Sequence, residues 1–316
     1  MEKTLIFGHR SPDTDTIISS ICLANLKSKL GKQVEAVRLG ELNKETEYVL
    51  KYFGVDNIRK IESVNEGQSV ILVDHNEFTQ SVSGIEKANI KMVIDHHRIK
   101  GFETAEPLYY RAEPVGCTAT IIYTLYLENG VEIDKNIAGL LMSAIISDTL
   151  LFKSPTCTTK DVEVAKTLAD ICGVDIEKYG LDMLKAGTAL SDYSEKDLIN
   201  LDAKEFMLGD IKAVVAQVNT VDIFSKELFQ ENQDDFLEFL TFLLEEINKE
   251  ISNRGLGIFA FLITDILNSN SEALVLGDRC DIFEKAFDKK LEDNLVFLPG
   301  VISRKKQIIP PMTKNA

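Results

Sequence analysis

The sequence predicts an α/β protein in two units, a larger N-terminal one on a parallel sheet and a smaller C-terminal α/β one. Three observations lead there. Short apolar runs without alternation recur through the first hundred residues, spaced by segments of helical periodicity; such strands are covered on both faces by helices. The chain has 316 residues, enough for two cores. Its texture changes near Leu190–Ser194, which places a linker at 190–194 between domains 1–189 and 195–316.

The elements follow in order. Thr4–Gly8 is a short apolar strand that ends at a loop rich in Asp, Ser and Pro. Ile17–Leu30 repeats its apolar residues at helical spacing and stops at Gly31. Val34–Leu39 is a second strand, and Lys44–Phe53 a helix closed by Gly54. Ser69–Val73 and Lys91–Ile94 are apolar strands that run into Asp74-His75-Asn76-Glu77 and Asp95-His96-His97-Arg98. Thr118–Leu127 and Asp134–Ile146 read as amphipathic helices, the second capped by Asp134. Thr158–Cys172 is a helix closed by Gly173. Beyond the linker come a strand at Ile211–Val218, a long helix at Asp234–Ile251, and strands at Leu256–Ile263 and Glu272–Leu276.

Composition excludes some functions. With 35 Lys plus Arg against 50 Asp plus Glu, the net charge is -15, the wrong sign for a general nucleic-acid binder. No apolar stretch is long enough for a membrane span, and the first residues read as a strand rather than a signal peptide. The 5 cysteines are scattered with no CxxC pair, which points to a reduced, cytoplasmic protein.

Only 4 histidines exist, His9, His75, His96 and His97, all in the first third of the chain. Each has an aspartate within four residues, a pattern that a localised metal or acid–base site explains better than general use. Asp13 and Asp15 stand two apart in His9-Arg10-Ser11-Pro12-Asp13-Thr14-Asp15, between a strand and a helix. Either could be a helix N-cap; His9 shifts the balance toward metal. Asp74 ends one strand, and Asp95-His96-His97 follows another. Side chains of adjacent histidines diverge, so one can be a ligand while the other meets substrate. Asp95 or Asp74 could fix a histidine tautomer. Asp148 ends an apolar helix, where an acid opposes the dipole unless a cation compensates. If the strands are parallel, these loops leave one sheet edge. Such an O/N donor set suits Mn²⁺ or Mg²⁺, imidazole favouring Mn²⁺, and the carboxylates suffice for two ions.

The second unit has no histidine but offers Lys204, in Leu201-Asp202-Ala203-Lys204, and Arg304 and Lys305, in Ser303-Arg304-Lys305-Lys306-Gln307. Lys204 alone would be a solubilising surface residue by default. The last 16 residues carry no acid, and apolar flanks mark a packed segment that presents charge inward. Arg304 has no sequence-local acidic partner: it either forks onto a phosphate or pairs across the fold.

Together these motifs resemble family II inorganic pyrophosphatases, the manganese-dependent class of the DHH phosphoesterase superfamily. The resemblance runs over essentially the whole chain. It rests on Gly8–Asp15, Asp74-His75-Asn76-Glu77, Asp95-His96-His97, Ser147-Asp148-Thr149 and Ser303–Gln307. Family members often carry Lys-Asn or a similar pair where Arg10-Ser11 stand, a departure that touches no expected ligand.

The resemblance implies a DHH domain, a DHHA2-type domain and an active site in the cleft between them, which closes on diphosphate. It implies two Mn²⁺, with Co²⁺ or Mg²⁺ as substitutes and further Mg²⁺ arriving with the substrate. His9, Asp13 and Asp74 would hold one ion. Asp15, Asp74, His96 and Asp148 would hold the other, with Asp74 bridging. His97, Lys204, Arg304 and Lys305 would grip the phosphates while a metal-activated hydroxide attacks. A homodimer through an edge strand of the first domain is the family expectation. No room exists between Asp74 and Asp148 for the regulatory nucleotide-binding insertion of some members. The competing readings are a short-chain exopolyphosphatase of the same superfamily and a noncatalytic phosphate or metal sensor; a DHH exonuclease fits less well, lacking a match in the second domain.

Overall fold

The computed structural model describes residues 3–188, 194–200, 202–221 and 233–316, the side chains at 195, 233–239 and 305 excepted. The expected linker lies outside the described residues apart from Ser194, as do residue 189 and the Lys305 side chain. Backbone contacts divide the chain into two compact units, Met1–Gly187 and Thr188–Ala316.

The first unit holds β1 (Thr4–Phe7), α1 (Thr14–Lys29), β2 (Val34–Arg38), α2 (Lys44–Tyr52), β3 (Arg59–Lys60), β4 (Ser69–Val73), β5 (Asn89–Asp95) and β6 (Tyr109–Ala112). Four helices follow: α3 (Thr118–Glu128), α4 (Lys135–Thr149), α5 (Thr159–Cys172) and α6 (Ile176–Gly187). The six strands are all parallel, in the order β3-β2-β1-β4-β5-β6. The chain builds outward from β1 to β3, then returns beside β1 and builds the other way. The reversal falls between β1 and β4, where an open α/β sheet leaves a crevice at its carboxyl edge. β3 and β6 have no long apolar run, which is why periodicity passes over them.

One sequence expectation needs correction. The helix from Asp134 is not amphipathic: α4 is buried on every face from Ile137 to Ile146. It packs against α1, α3, α5 and α6 at once, so its apolar residues are not confined to one stripe. Asp134 does cap it, accepting from Ile137 N at 3.0 Å. Gly139 of α4 lets the helix meet Phe53, where an added Cβ would stand 2.1 Å from the ring.

The second unit contains α7 (Glu195–Asn200), β7 (Ala203–Leu208), β8 (Ile211–Thr220), α8 (Gln233–Arg254), β9 (Ile258–Asp265), β10 (Asn270–Leu276), α9 (Cys280–Phe287), β11 (Leu295–Pro299) and α10 (Ile309–Lys314). Its sheet is mixed, ordered β11-β10-β9-β8-β7, with only β8 and β9 parallel. After β11 the chain crosses one end of this sheet. Ser271 Oγ donates to Val301 O at 2.7 Å, and Gln217 Nε2 to Ile302 O at 3.0 Å. A single π-helical turn, Arg304–Ile308, then leads into α10. Ile308 and Met312 are fully buried and anchor the tail in the core under β8–β11. Among the described residues no helix is long and apolar enough to cross a membrane, and all five cysteines are free.

Glu272 on β10 lies between Ile263 of β9 and Phe297 of β11, and burial pushes its carboxyl from 4.5 up to about 7. The folded state thus holds this proton more tightly than the unfolded one. Stability falls as pH rises from about 4.5 to 7 and levels off above. Glu272→Gln removes the cost of burying a charged carboxylate. At pH 8 the variant is expected to unfold at higher urea, by about 1–2 kcal/mol once solvent screening of a partly exposed group is allowed for, and to match wild type at pH 4. Urea titrations at the two pH values check this.

Candidate metal centre

The centre is assembled at the carboxyl ends of β1, β4 and β5. Adjacency of these strands brings together residues far apart in sequence. His9 follows β1, Asp74 follows β4, and Asp95-His96-His97 ends β5. α1 and α4 bring the remaining acids.

Asp74 lies at the middle of the group. It is 1% exposed and adopts φ of 59°, a left-handed conformation that Asp tolerates better than most residues. Its Oδ2 accepts from Thr16 Oγ1 at 2.7 Å and its Oδ1 from Thr118 Oγ1 at 3.1 Å. Two imidazoles approach from opposite sides: His9 Nε2 stands 3.5 Å from Oδ2 and His96 Nε2 3.4 Å from Oδ1.

The two acids of the first loop do different work. Asp13 is the N-cap of α1, its Oδ1 accepting from Thr16 N at 2.9 Å, while its Oδ2 is 3.3 Å from His9 Nε2. The cap and metal readings are therefore compatible. Asp15 is fully buried and accepts from Ser19 Oγ at 2.7 Å, Thr118 N at 2.7 Å and Ala119 N at 3.2 Å. It caps α3 from a neighbouring helix, since Cys117 makes no side-chain cap of its own. Asp148 sits in the last turn of α4, with Oδ2 3.7 Å from His96 Nε2.

Among the described residues three groups of potential ligand atoms result, each with its members within 4.8 Å of one another: His9, Asp13 and Asp74; Asp15, Asp74, His96 and Asp148; and Asp74, His96 and His97. Asp74 belongs to all three. The imidazoles are oriented from behind. His96 Nδ1 meets Val115 O at 3.0 Å, which leaves Nε2 for the centre. His97 Nδ1 meets Asp95 Oδ1 at 3.0 Å, and Asp95 is held in turn by Asn76 Nδ2 at 2.6 Å. Asp95 is thus the tautomer-fixing acid of that pair, and the half-exposed His97 ring presents Nε2 outward. His75 departs from the cluster. It is buried, with Nδ1 2.9 Å from Val73 O and Nε2 3.1 Å from Ser81 Oγ, and burial pushes it down to about 4. It is a neutral core histidine.

The donor set fits a divalent cation. Burial, then the charge of Asp15, pushes Asp74 up to about 7. Burial, then Asp15, Asp74 and Asp13, pushes Asp148 well above its ordinary range. Burial opposes protonation of His96, yet its bond to Asp74 and the charge of Asp15 lift it to about 9. The cluster gathers protons because it is short of positive charge; a metal supplies that charge instead. Hard carboxylate oxygens with two imidazoles suit Mn²⁺ or Mg²⁺.

The cations of the second unit lie at the start of β7 and in the tail. Lys204 is exposed. Arg304 is 9% exposed and pairs with Asp202, its Nη2 donating to Oδ1 and Oδ2 at 2.9 and 3.0 Å. It therefore pairs across the fold, as a buried rather than a surface arginine. Both face a cavity of about 530 Å³ also lined by Gln217, Asn219 and Ser303.

Sequence reasoning missed Thr16, Thr118, Asn76 and Glu45. Thr16 carried a faint signal, as a hydroxyl in the first turn of an Asp-capped helix. Thr118 carried none, and Asn76 stood in the Asp74-His75-Asn76-Glu77 motif with nothing to mark it as the partner of Asp95. Glu45, in the first turn of α2, accepts from both Thr14 and Ser147 hydroxyls, the residues that precede Asp15 and Asp148.

Comparison with known proteins gives one consistent picture. Residues 3–145 match the DHH family, N-terminal domain, and residues 181–315 the DHHA2 domain. The manganese-dependent inorganic pyrophosphatase of Bacillus subtilis is 55% identical over 314 residues, covering 99% of this chain and 98% of that protein. An Exiguobacterium sp. protein named "Probable manganese-dependent inorganic pyrophosphatase" is 55% identical over 317 residues, covering 100% and 99%. A structure described as "Crystal structure of Methanococcus jannaschii putative family II inorganic pyrophosphatase" superposes with a TM-score of 0.61 at 40% identity, covering 100% of this chain and 99% of that one.

The Glu45 bridge sets the spacing of α1 and α4. Glu45→Ala is expected to weaken Mn²⁺ binding by at least about tenfold with the fold intact, as loss of an outer-shell partner commonly does. Glu45→Gln keeps an acceptor oxygen and should retain most of the affinity. Calorimetric Mn²⁺ titration of both variants decides; two wild-type isotherms would remove Glu45 from any role in the centre.

Proposed function

Because the chain belongs to the manganese-dependent inorganic pyrophosphatases, with their DHH and DHHA2 domains, we propose that it hydrolyses inorganic diphosphate to two orthophosphates. The observation that carries the reading is Asp74, a buried carboxylate common to all three convergent donor groups. His9, Asp13 and Asp74 would hold one Mn²⁺, and Asp15, Asp74, His96 and Asp148 the second. Co²⁺ or Mg²⁺ would be the substitutes, and further Mg²⁺ would arrive with the substrate. The chemistry such ions would supply is neutralisation of phosphoryl charge and acidification of a water at neutral pH.

The chain's own residues supply the rest. Thr16 and Thr118 hold both Asp74 oxygens, so the shared carboxylate keeps one orientation. Asp95 fixes the His97 ring and leaves Nε2 to meet a phosphate oxygen. Lys204, Arg304 and Lys305 bind phosphate and stabilise charge on the departing orthophosphate. The domain assignment, 1–189 and 195–316, gives metal activation to the first domain and phosphate recognition to the second.

The excess of acid disfavours nucleic acid as a partner. The free cysteines accord with a reducing cytoplasm. A homodimer through an edge strand of the first domain completes the reading.

Two outcomes test it. With Mn²⁺ preloaded and Mg²⁺ in excess, kcat/KM for diphosphate should exceed that for tripolyphosphate, long polyphosphate or a dinucleotide by at least about a hundredfold, more than 2.7 kcal/mol of transition-state discrimination. A preference for longer chains would make the protein an exopolyphosphatase, and no turnover a sensor. His9→Gln should lose one Mn²⁺ equivalent or weaken one site at least about tenfold and narrow the preference over Mg²⁺; unchanged stoichiometry and affinity would take His9 out of the ligand set.

A further inference from the structure

The Arg304 guanidinium is already occupied by an anion of this chain. Nη2 donates to both carboxylate oxygens of Asp202, and Nη1 donates to Asp202 O and, at 3.2 Å, to Val215 O. All four terminal N–H groups are thereby engaged. A phosphate bound through the guanidinium fork needs a pair of N–H groups on one edge, and Asp202 stands where those phosphate oxygens would go.

The arrangement is local to the second unit. Asp202 immediately precedes β7, its side chain about half exposed at 52%. The tail reaches it by crossing the sheet end, tied to Ser271 and Gln217 on the way. Among the described residues, Asp202 is the one acidic side chain lining the cavity that Lys204 and Arg304 face. An exposed carboxylate is readily rehydrated, so its release costs little. A buried guanidinium left without an anion is costly. The pair is thus built to exchange one anion for another rather than to open into water.

We propose that Asp202 is a competing anion that occupies the Arg304 guanidinium until a phosphoryl group displaces it, and so holds back phosphate binding by the fraction of molecules in which the pair is closed. The inference rests on the reading of Arg304 as a phosphate-binding residue. Every ligand that needs the freed guanidinium meets the same competitor, so Asp202 weakens substrate capture and product retention by a common factor. It is a positioning residue that need not touch the reacting atoms.

The test uses the full chain loaded with Mn²⁺. Asp202→Asn keeps the size and removes the charge; its backbone carbonyl still accepts from Arg304. Calorimetry measures orthophosphate binding, and steady-state kinetics give KM for diphosphate and the orthophosphate inhibition constant. The variant should bind orthophosphate at least about threefold more tightly, the scale of a partly exposed ion pair, with KM for diphosphate lowered by a similar factor. In an Arg304→Lys background the same substitution should produce no such gain. Equal or weaker orthophosphate binding by Asp202→Asn overturns the proposal and leaves Asp202 as a residue that holds Arg304 in place. Loss of fold in both Asp202→Asn and Asp202→Ser, read as melting temperature, makes the pair a structural tie and overturns it too. If instead Arg304→Lys alone leaves orthophosphate binding and the diphosphate KM at wild type, the phosphate-binding reading of Arg304 fails.

Discussion

One buried carboxylate organises the first unit. Asp74 has to be held without water, in a left-handed backbone conformation that costs of order 1–3 kcal/mol for a residue other than glycine. Its surroundings offset that cost piece by piece. The backbone N–H donates to Ile94 O at 2.9 Å, two threonine hydroxyls take the side-chain oxygens, and two imidazoles close the flanks. Because those partners come from α1, α3, the loop after β1 and the end of β5, the carboxylate ties four segments to one point. Gly8 belongs to the same constraint. A Cβ there would stand 2.4 Å from Thr16 Cγ2 and displace the hydroxyl that Asp74 needs.

Excess negative charge is the price of that arrangement, and it is also its function. Carboxylates driven together by α1, β4 and α4 cannot all ionise in a dry site. They raise one another's proton affinity and lift the neighbouring imidazoles. A site in this condition suits hard divalent cations, whose charge would relieve the repulsion. The second unit solves the opposite problem. It brings a guanidinium out of water and satisfies it with an acid from the far edge of the same sheet, so positive charge is stored rather than exposed.

Much of this was legible in the chain. The parallel sheet follows from apolar runs such as Ser69–Val73, which lack alternation because both faces are covered. Helix ends at Asp13, Asp134 and Gly173 follow from local capping chemistry. The candidate ligand residues stand at strand and helix ends, where clustered carboxylates and histidines exceed what capping needs. β3, β6 and β7 lie outside the reach of periodicity because short or half-buried strands lack a run of apolar residues. The apolar residues of α4 wrap the whole helix, which a one-sided pattern does not show.

By itself, then, the sequence determined the α/β class, the motif positions and the chemistry of the donors, since these depend on residue type and on neighbours within a few positions. Only the tertiary structure decided that Asp13 both caps a helix and faces His9, that Asp15 caps a helix 103 residues away, that His75 is core, and that Arg304 is paired with Asp202. Each of those depends on which segments the sheet order makes adjacent. Strand adjacency is a long-range packing outcome, and no local pattern of residues encodes which partner a buried carboxylate or guanidinium will meet.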